Sequence, residues 1–201
     1  MTTYPDAPWD MVGQLWLSLF RVPAPVDDLR PAGIHGVAFV RYEEGSPLTY
    51  SELLVARPVA NAHGRRVSIS DIWVDSPASV AGGRELWAIP KLLAEFSSSS
   101  VRRGPVSHTE WSAVTGSQPI VQARFGDVSG LALRTPFRGG TWQPGIPDTG
   151  GEERTARLTG SAKALPCRAQ WDFATDGPLG WLAGARQLAS FRMTDFRMSF
   201  A

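Results

Sequence analysis

The chain has 201 residues, 43% hydrophobic and 19% charged, which is enough apolar content to fill a core and fits a single domain spanning 1–201. A net charge of +1 leaves no electrostatic footprint for nucleic acid or an acidic membrane, and no apolar run reaches the ~18 residues of a membrane-spanning helix. The one cysteine, Cys167, excludes an internal disulfide framework; together with the absence of a secretory leader pattern, this reads as a cytoplasmic protein.

Residues 1–8 read as a loose arm. Leu15 to Arg21 is a first strand, stopped by Pro23 and Pro25. Ile34 to Tyr42 is a second and Thr49 to Val59 a third. Asn61-Ala62-His63-Gly64 makes a tight connection to a fourth, Arg65 to Val74. The regular spacing of these short runs suits antiparallel pairing better than βαβ crossovers.

Ser76-Pro77 opens the clearest helix signal, a capping serine followed by a proline at the first helical position. The helix runs to about Trp87 and stops before Pro90, because a residue preceding proline is pushed out of the helical region. Gly82 and Gly83 inside it cost about 1 kcal/mol each against alanine, which predicts close packing on a sheet. Further strands are expected at Leu92–Ser97, Ser107–Val114, Pro119–Phe125, Leu131–Phe137, Arg154–Ala164, Cys167–Phe173 and Phe191–Phe200. Residues 138–153 read as a surface loop, and Pro178 to Leu188 as a short helix. The fold class is mainly β (α+β): an antiparallel, barrel-like curved sheet with a few short helices around a pocket.

Only two of the 20 basic residues are lysines, Lys91 and Lys163. Lys91 closes the run Gly82-Gly83-Arg84-Glu85-Leu86-Trp87-Ala88-Ile89-Pro90-Lys91. A lysine after an apolar run in an arginine-rich chain points to chemistry that arginine lacks: a lysine amine can lose its proton and attack a carbonyl.

Gly83, Arg84, Glu85, Leu86, Pro90 and Lys91 resemble the signature of the acetoacetate decarboxylase superfamily. Over about residues 14–96, Arg21 and the Tyr50-Ser51-Glu52 segment agree with it in order. The resemblance implies an acetoacetate decarboxylase-like barrel and a homo-oligomer. It implies a Schiff-base nucleophile at Lys91, an active-site arginine at Arg21, a pocket glutamate at Glu52 and pocket contacts from Tyr50 and Trp73. Gly83, Arg84, Glu85 and Pro90 then form the structural motif, with Arg84 and Glu85 read as an ion pair fixing the helix end. Two positions depart from the founding enzymes. Leu92 stands where they carry a second lysine, and Val37 falls, without gaps, where they carry a second glutamate.

The expected reaction is decarboxylation of a small β-keto acid through a Lys91 imine, with a small carbonyl compound as the partner. Aldolase, dehydratase or cyclase chemistry on the same imine is the alternative, and a non-catalytic small-molecule binder the rival. A free lysine, pKa ~10.4, is almost wholly protonated at pH 7. Burial among Leu86, Trp87, Ile89, Leu92 and Leu93 is therefore expected to lower its pKa and do most of the activation. His35, His63 and His108 lack metal-ligand spacing, and no phosphate-binding glycine loop is present. No metal and no cofactor are expected.

Overall fold

A computed structural model describes residues 2–201; Met1 of the expected arm lies outside the described residues. Twelve strands and one α-helix are seen among them. They are β1 (Trp9–Val22), β2 (Gly33–Tyr42), β3 (Tyr50–Asn61), β4 (Gly64–Val74), α1 (Pro77–Trp87), β5 (Leu92–Leu93), β6 (Glu95–Arg103), β7 (Val106–Thr115), β8 (Gln118–Asp127), β9 (Arg134–Gln143), β10 (Arg154–Pro166), β11 (Arg168–Phe173) and β12 (Arg186–Phe200).

The large sheet runs β3-β2-β1-β12-β10-β9-β4, and β4 pairs back onto β3. Seven strands therefore close into a barrel, with β5 appended to β4. The neighbours are antiparallel except β4–β9 and β4–β5, which are parallel. A second, antiparallel sheet of order β11-β8-β7-β6 packs outside the barrel.

Period-two alternation divides the barrel side chains between two cores. On β2, Val37 and Phe39 turn outward to the core shared with the small sheet, and Ala38 and Val40 turn inward. On β3 and β4, Leu53, Val55 and Trp73 face the same intersheet core, while Ile72 and Val74 face the barrel interior. The intersheet core is aromatic: Phe39 stacks between Trp111 and Trp171 at 5.1 and 5.5 Å. Offset aromatic contacts of this kind add to burial as a stabilising force.

The barrel closes weakly at one seam. β4 and β9 share a single ladder position, Val67 opposite Thr141. Beyond it, Gln143 takes over from the backbone. Its amide accepts from Ile69 N–H at 2.8 Å, donates to Ile69 C=O at 3.0 Å and accepts from the Ser68 hydroxyl at 3.3 Å. A side chain thus satisfies backbone groups that the ladder leaves open.

Four expectations are corrected. The helix read at Pro178–Leu188 is one 3₁₀ turn, Gly180–Leu182, after which β12 begins. The loop read at 138–153 is strand as far as Gln143. Gly140 is what allows it there: a Cβ would lie 2.5 Å from the Ala156 carbonyl, so the residue that reads as a breaker permits close strand approach. The first and last strands are longer than read, at 14 and 15 residues. The arm is tied down as well, since Trp9 Nε1 donates to the Pro5 carbonyl at 2.9 Å.

Gln143→Leu keeps the volume but strands Ile69 N–H and C=O in a buried seam. A loss of about 2–6 kcal/mol is expected, from about 1–3 kcal/mol for each of the two unsatisfied groups. Equilibrium urea unfolding of both proteins measures it.

Candidate active site

Glu52 and Tyr50 lie on the inward face of β3, and Tyr42 faces Tyr50 across the β2–β3 ladder with ring centroids 4.4 Å apart. Helix α1 follows β4 in the chain. Ser76 caps it by accepting from Ser79 N–H at 3.2 Å. It ends on Ala88, a left-handed residue at φ 52°, with Ala88 N–H bonded to Arg84 C=O and Ile89 N–H to Gly83 C=O, both at 3.0 Å. A left-handed residue ends a helix sharply and redirects the chain. Arg84 then donates to the Lys91 carbonyl at 3.1 Å, fixing the segment that carries the lysine.

The costly glycine pair has a packing reason. A Cβ on Gly83 would lie 2.7 Å from Lys91 Cδ and 2.8 Å from Cε, and one on Gly82 would lie 2.6 Å from the Trp9 ring. The lysine stem passes directly over Gly83 and the tryptophan over Gly82.

Lys91 is 4% exposed and Glu52 3%. The Lys91 ammonium donates to Glu52 Oε2 at 2.9 Å, Ser79 Oγ at 2.9 Å and Tyr50 Oη at 3.2 Å. All three of its protons have acceptors. Tyr42 donates its hydroxyl to Glu52 Oε1 at 3.1 Å. This polar cluster forms one part of the wall of a cavity of about 250 Å³ inside the barrel. The remaining wall is almost wholly apolar, with Trp9, Trp87, Leu54, Ile69 and Phe200 prominent.

Burial disfavours the Lys91 ammonium, as expected from the sequence, but Glu52 reverses the outcome. Desolvation pushes the lysine pKa down; the adjacent carboxylate and its hydrogen bond push it back above the ordinary value of 10.5. The resting amine is therefore an ion-paired ammonium, and desolvation alone does not activate it. Burial also holds the phenols of Tyr42 and Tyr50 protonated, with pKa values raised above 10.

The structure brings Lys91, Glu52 and Tyr50 together. It does not bring Arg21 to them. Tyr42, beside Glu52, is opposite Gly13 on β1, whereas Arg21 is opposite Ile34. The eight residue steps from Gly13 to Arg21 span about 26 Å of strand, and Arg21 sits exposed at the other end of β1. Trp73 does not line the cavity: strand alternation turns it into the intersheet core opposite Leu53. Trp87 and Trp9 supply the aromatic wall instead. Val37 faces that same outer core, so it is not a cavity position, and Leu92 is 52% exposed. Arg84 pairs with Asp148 rather than with Glu85, which is exposed.

Sequence reasoning missed Tyr42, Ser79 and Thr141. Tyr42 was detectable from hairpin register, since it must oppose Tyr50 once the turn is placed. Ser79 looks like an ordinary first-turn helix residue. Thr141 falls in the Gly- and Pro-rich stretch 138–153, whose composition reads as a loop.

The family model described as acetoacetate decarboxylase (ADC) matches residues 22–133. Solved structures share the fold at low identity. An acetoacetate decarboxylase from Legionella pneumophila is 16% identical with a TM-score of 0.64, over 99% of this chain and 87% of that one. The enduracididine biosynthesis enzyme MppR complexed with pyruvate is 14% identical with a TM-score of 0.64, over 100% and 90%. An acetoacetate decarboxylase-like enzyme from Sphingomonas wittichii RW1 is 14% identical with a TM-score of 0.61, over 98% and 91%. No curated protein sequence matches the chain.

Two variants probe the cluster. Gly83→Ala forces the Lys91 stem aside; a loss of about 1–3 kcal/mol from overpacking is expected, measured by thermal and urea unfolding. Glu52→Gln removes the largest influence that opposes burial, so the Lys91 pKa falls relative to that in the wild-type chain. The pH profile of reductive methylation at Lys91, read by peptide mass, shifts to lower pH in this variant. The sign for stability follows. A raised lysine pKa stabilises the fold below ~10.4 and this contribution is lost as pH rises through the folded value. Native stability should therefore decline above pH ~10.4 more steeply than that of Glu52→Gln.

Proposed function

The chain belongs to the acetoacetate decarboxylase family, and we propose that it is a Schiff-base enzyme: Lys91 condenses with the carbonyl of a keto acid and the imine expels CO₂ from a β-keto acid. The observation that supports this reading is the placement of Lys91 Nζ, 2.9 Å from the Glu52 carboxylate at the polar part of an otherwise apolar cavity.

Entry of an apolar ligand strips water from the ion pair. Transfer of one proton from Nζ to Oε2 then removes two buried charges at once, which a low-dielectric site favours. The free amine adds to the carbonyl carbon, and the oxygen takes a proton to give a carbinolamine. Glu52, now an acid, returns its proton to that hydroxyl, which leaves as water and yields a protonated imine. The bond from the α-carbon to the carboxylate breaks. Its electron pair moves towards the imine nitrogen, giving a neutral enamine and CO₂. Protonation of the α-carbon and hydrolysis of the imine release the ketone and restore Lys91. The sum is β-keto carboxylate plus a proton giving ketone plus CO₂. Tyr50, 3.2 Å from Nζ and kept protonated by burial, is the polar contact for the substrate oxygen.

A second reading keeps the imine and changes its use: the enamine attacks an aldehyde, or dehydration or cyclisation follows. The exposed, remote position of Arg21 favours it, because no guanidinium lines the cavity to receive a substrate carboxylate.

Borohydride reduction in the presence of acetoacetate, pyruvate and larger keto acids tests the reading. A substrate-dependent mass increase on the Lys91 peptide, absent in Lys91→Ala, is the expected result, with CO₂ release from the productive β-keto acid. A folded protein that forms no adduct with any of them is a binder rather than a Schiff-base enzyme. Adducts without CO₂ release, but with aldehyde-dependent products, select the second reading.

A further inference from the structure

The cavity is larger and more apolar than the reactive group needs. Along β3 its wall carries Glu52, Leu54 and Ala56 on one face, a span of about 13 Å at the rise of a strand. Its volume of about 250 Å³ accommodates roughly ten non-hydrogen atoms, at about 20–30 Å³ each. Lys91 and Glu52 are the charged residues in the wall. They cancel, so any further ionic group on a ligand would be buried without a counter-charge.

One polar atom of the wall stands apart. Thr141 is 4% exposed and its Oγ1 has no hydrogen-bond partner. Eight buried side-chain polar atoms lack partners among the described residues, and Thr141 Oγ1 is the one belonging to a residue of the cavity wall. Thr141 sits at the β4–β9 seam opposite Val67, which itself faces Pro58, six residues beyond Glu52 on β3. It is thus well removed from the lysine. A buried hydroxyl without a partner is costly, and here it belongs to a ligand-sized cavity.

We propose that the substrate is an elongated carbonyl compound of roughly ten non-hydrogen atoms, apolar along its length, with one hydrogen-bonding atom at the end remote from the reactive carbonyl, held by Thr141. Tail recognition rests on reading Lys91 as the carbonyl-reactive residue only for its orientation. Leu54, Ile69 and Leu158 sheath the chain. Apart from a carboxylate lost in the reaction, the substrate carries no second ionic group. Thr141 is a specificity-determining residue and takes no part in bond making.

The test uses alcohols, which cannot form an imine. Isothermal titration calorimetry of the wild-type chain compares 2-propanol, 2-nonanol and octane-1,7-diol, in which a distal hydroxyl replaces the last methyl of the nonanol. Burial at ~0.8 kcal/mol per methylene predicts at least about 100-fold tighter binding of 2-nonanol than of 2-propanol. Thr141→Val should weaken octane-1,7-diol about 3- to 10-fold, the span of one ordinary hydrogen bond, and leave 2-nonanol unchanged. Equal binding of the short and long alcohols overturns the proposal. So does a Thr141→Val effect that is nil or the same for both long probes. Borohydride trapping is run beside it. Long-alcohol binding without any Lys91 adduct removes the Schiff-base reading and keeps the elongated apolar ligand. Adducts forming as readily with acetone as with 2-nonanone keep the Schiff base and remove the elongated substrate.

Discussion

The buried Lys91–Glu52 pair is the constraint around which the barrel interior is arranged. Taking an ammonium and a carboxylate out of water costs several kcal/mol per ion, and their attraction repays it only when remaining donors and acceptors are also satisfied. Here they are: Ser79 and Tyr50 take the other two lysine protons, and Tyr42 donates to the second carboxylate oxygen. Each partner comes from a different element, so β2, β3, α1 and the segment after α1 must all be in register for the pair to exist. The glycine pair, the left-handed Ala88 and the Arg84 bond to the Lys91 carbonyl are local concessions to that requirement. A left-handed alanine is worse by roughly 1–2 kcal/mol than a right-handed one, and two glycines in a helix lower its intrinsic stability.

Two cores make that arrangement affordable in packing terms. The aromatic intersheet core holds the outer face of the barrel rigid against the small sheet, so the inner face does not have to be filled. Trp16, Phe39, Trp111 and Trp171 interlock there. The inner face can therefore keep a ligand-sized cavity, which in a lone small barrel would be filled by side chains. The same alternation that separates the two cores decides which residues can be functional. A one-residue difference in position moves a side chain from the cavity to the outer core, which is why Glu52 faces the cavity while Leu53 and Trp73 do not.

That parity rule also explains what was legible in the sequence. Lys91 and Glu52 stood out because a lone lysine followed a specific motif and a carboxylate opened an apolar strand. The mainly β fold followed from the short runs and their turns. Trp73 was misplaced because nearness along the chain to α1 says nothing about the face of β4 on which it lies. Arg21 failed for a related reason: it is at the end of a strand, but the end opposite the cluster, and strand direction relative to the site needs the barrel. The first half of β9 was visible as apolar pattern; the second half was hidden by Pro136, Gly139 and Gly140. Gly140 is required by the approach of β10, a tertiary demand that composition reads as a loop. Thr141 was lost with it.

Charge conservation in the cavity constrains the chemistry further. With a substrate monocarboxylate bound, the site holds Lys91, Glu52 and the substrate at a net charge of −1, and proton transfer between Lys91 and Glu52 does not change that sum. Imine formation keeps the positive charge at the same nitrogen. In the decarboxylation proposed above, loss of CO₂ would remove the carboxylate and the iminium charge together, leaving Glu52 as the one ion in apolar surroundings. The two charges annihilated are adjacent in a medium that stabilises neither, so the reaction moves from a more to a less polar state where solvation of the ground state is poorest. Under that proposal the iminium nitrogen would be the counter-ion of the carboxylate until it is gone, a role that Arg21, at the far end of β1, is not placed to share.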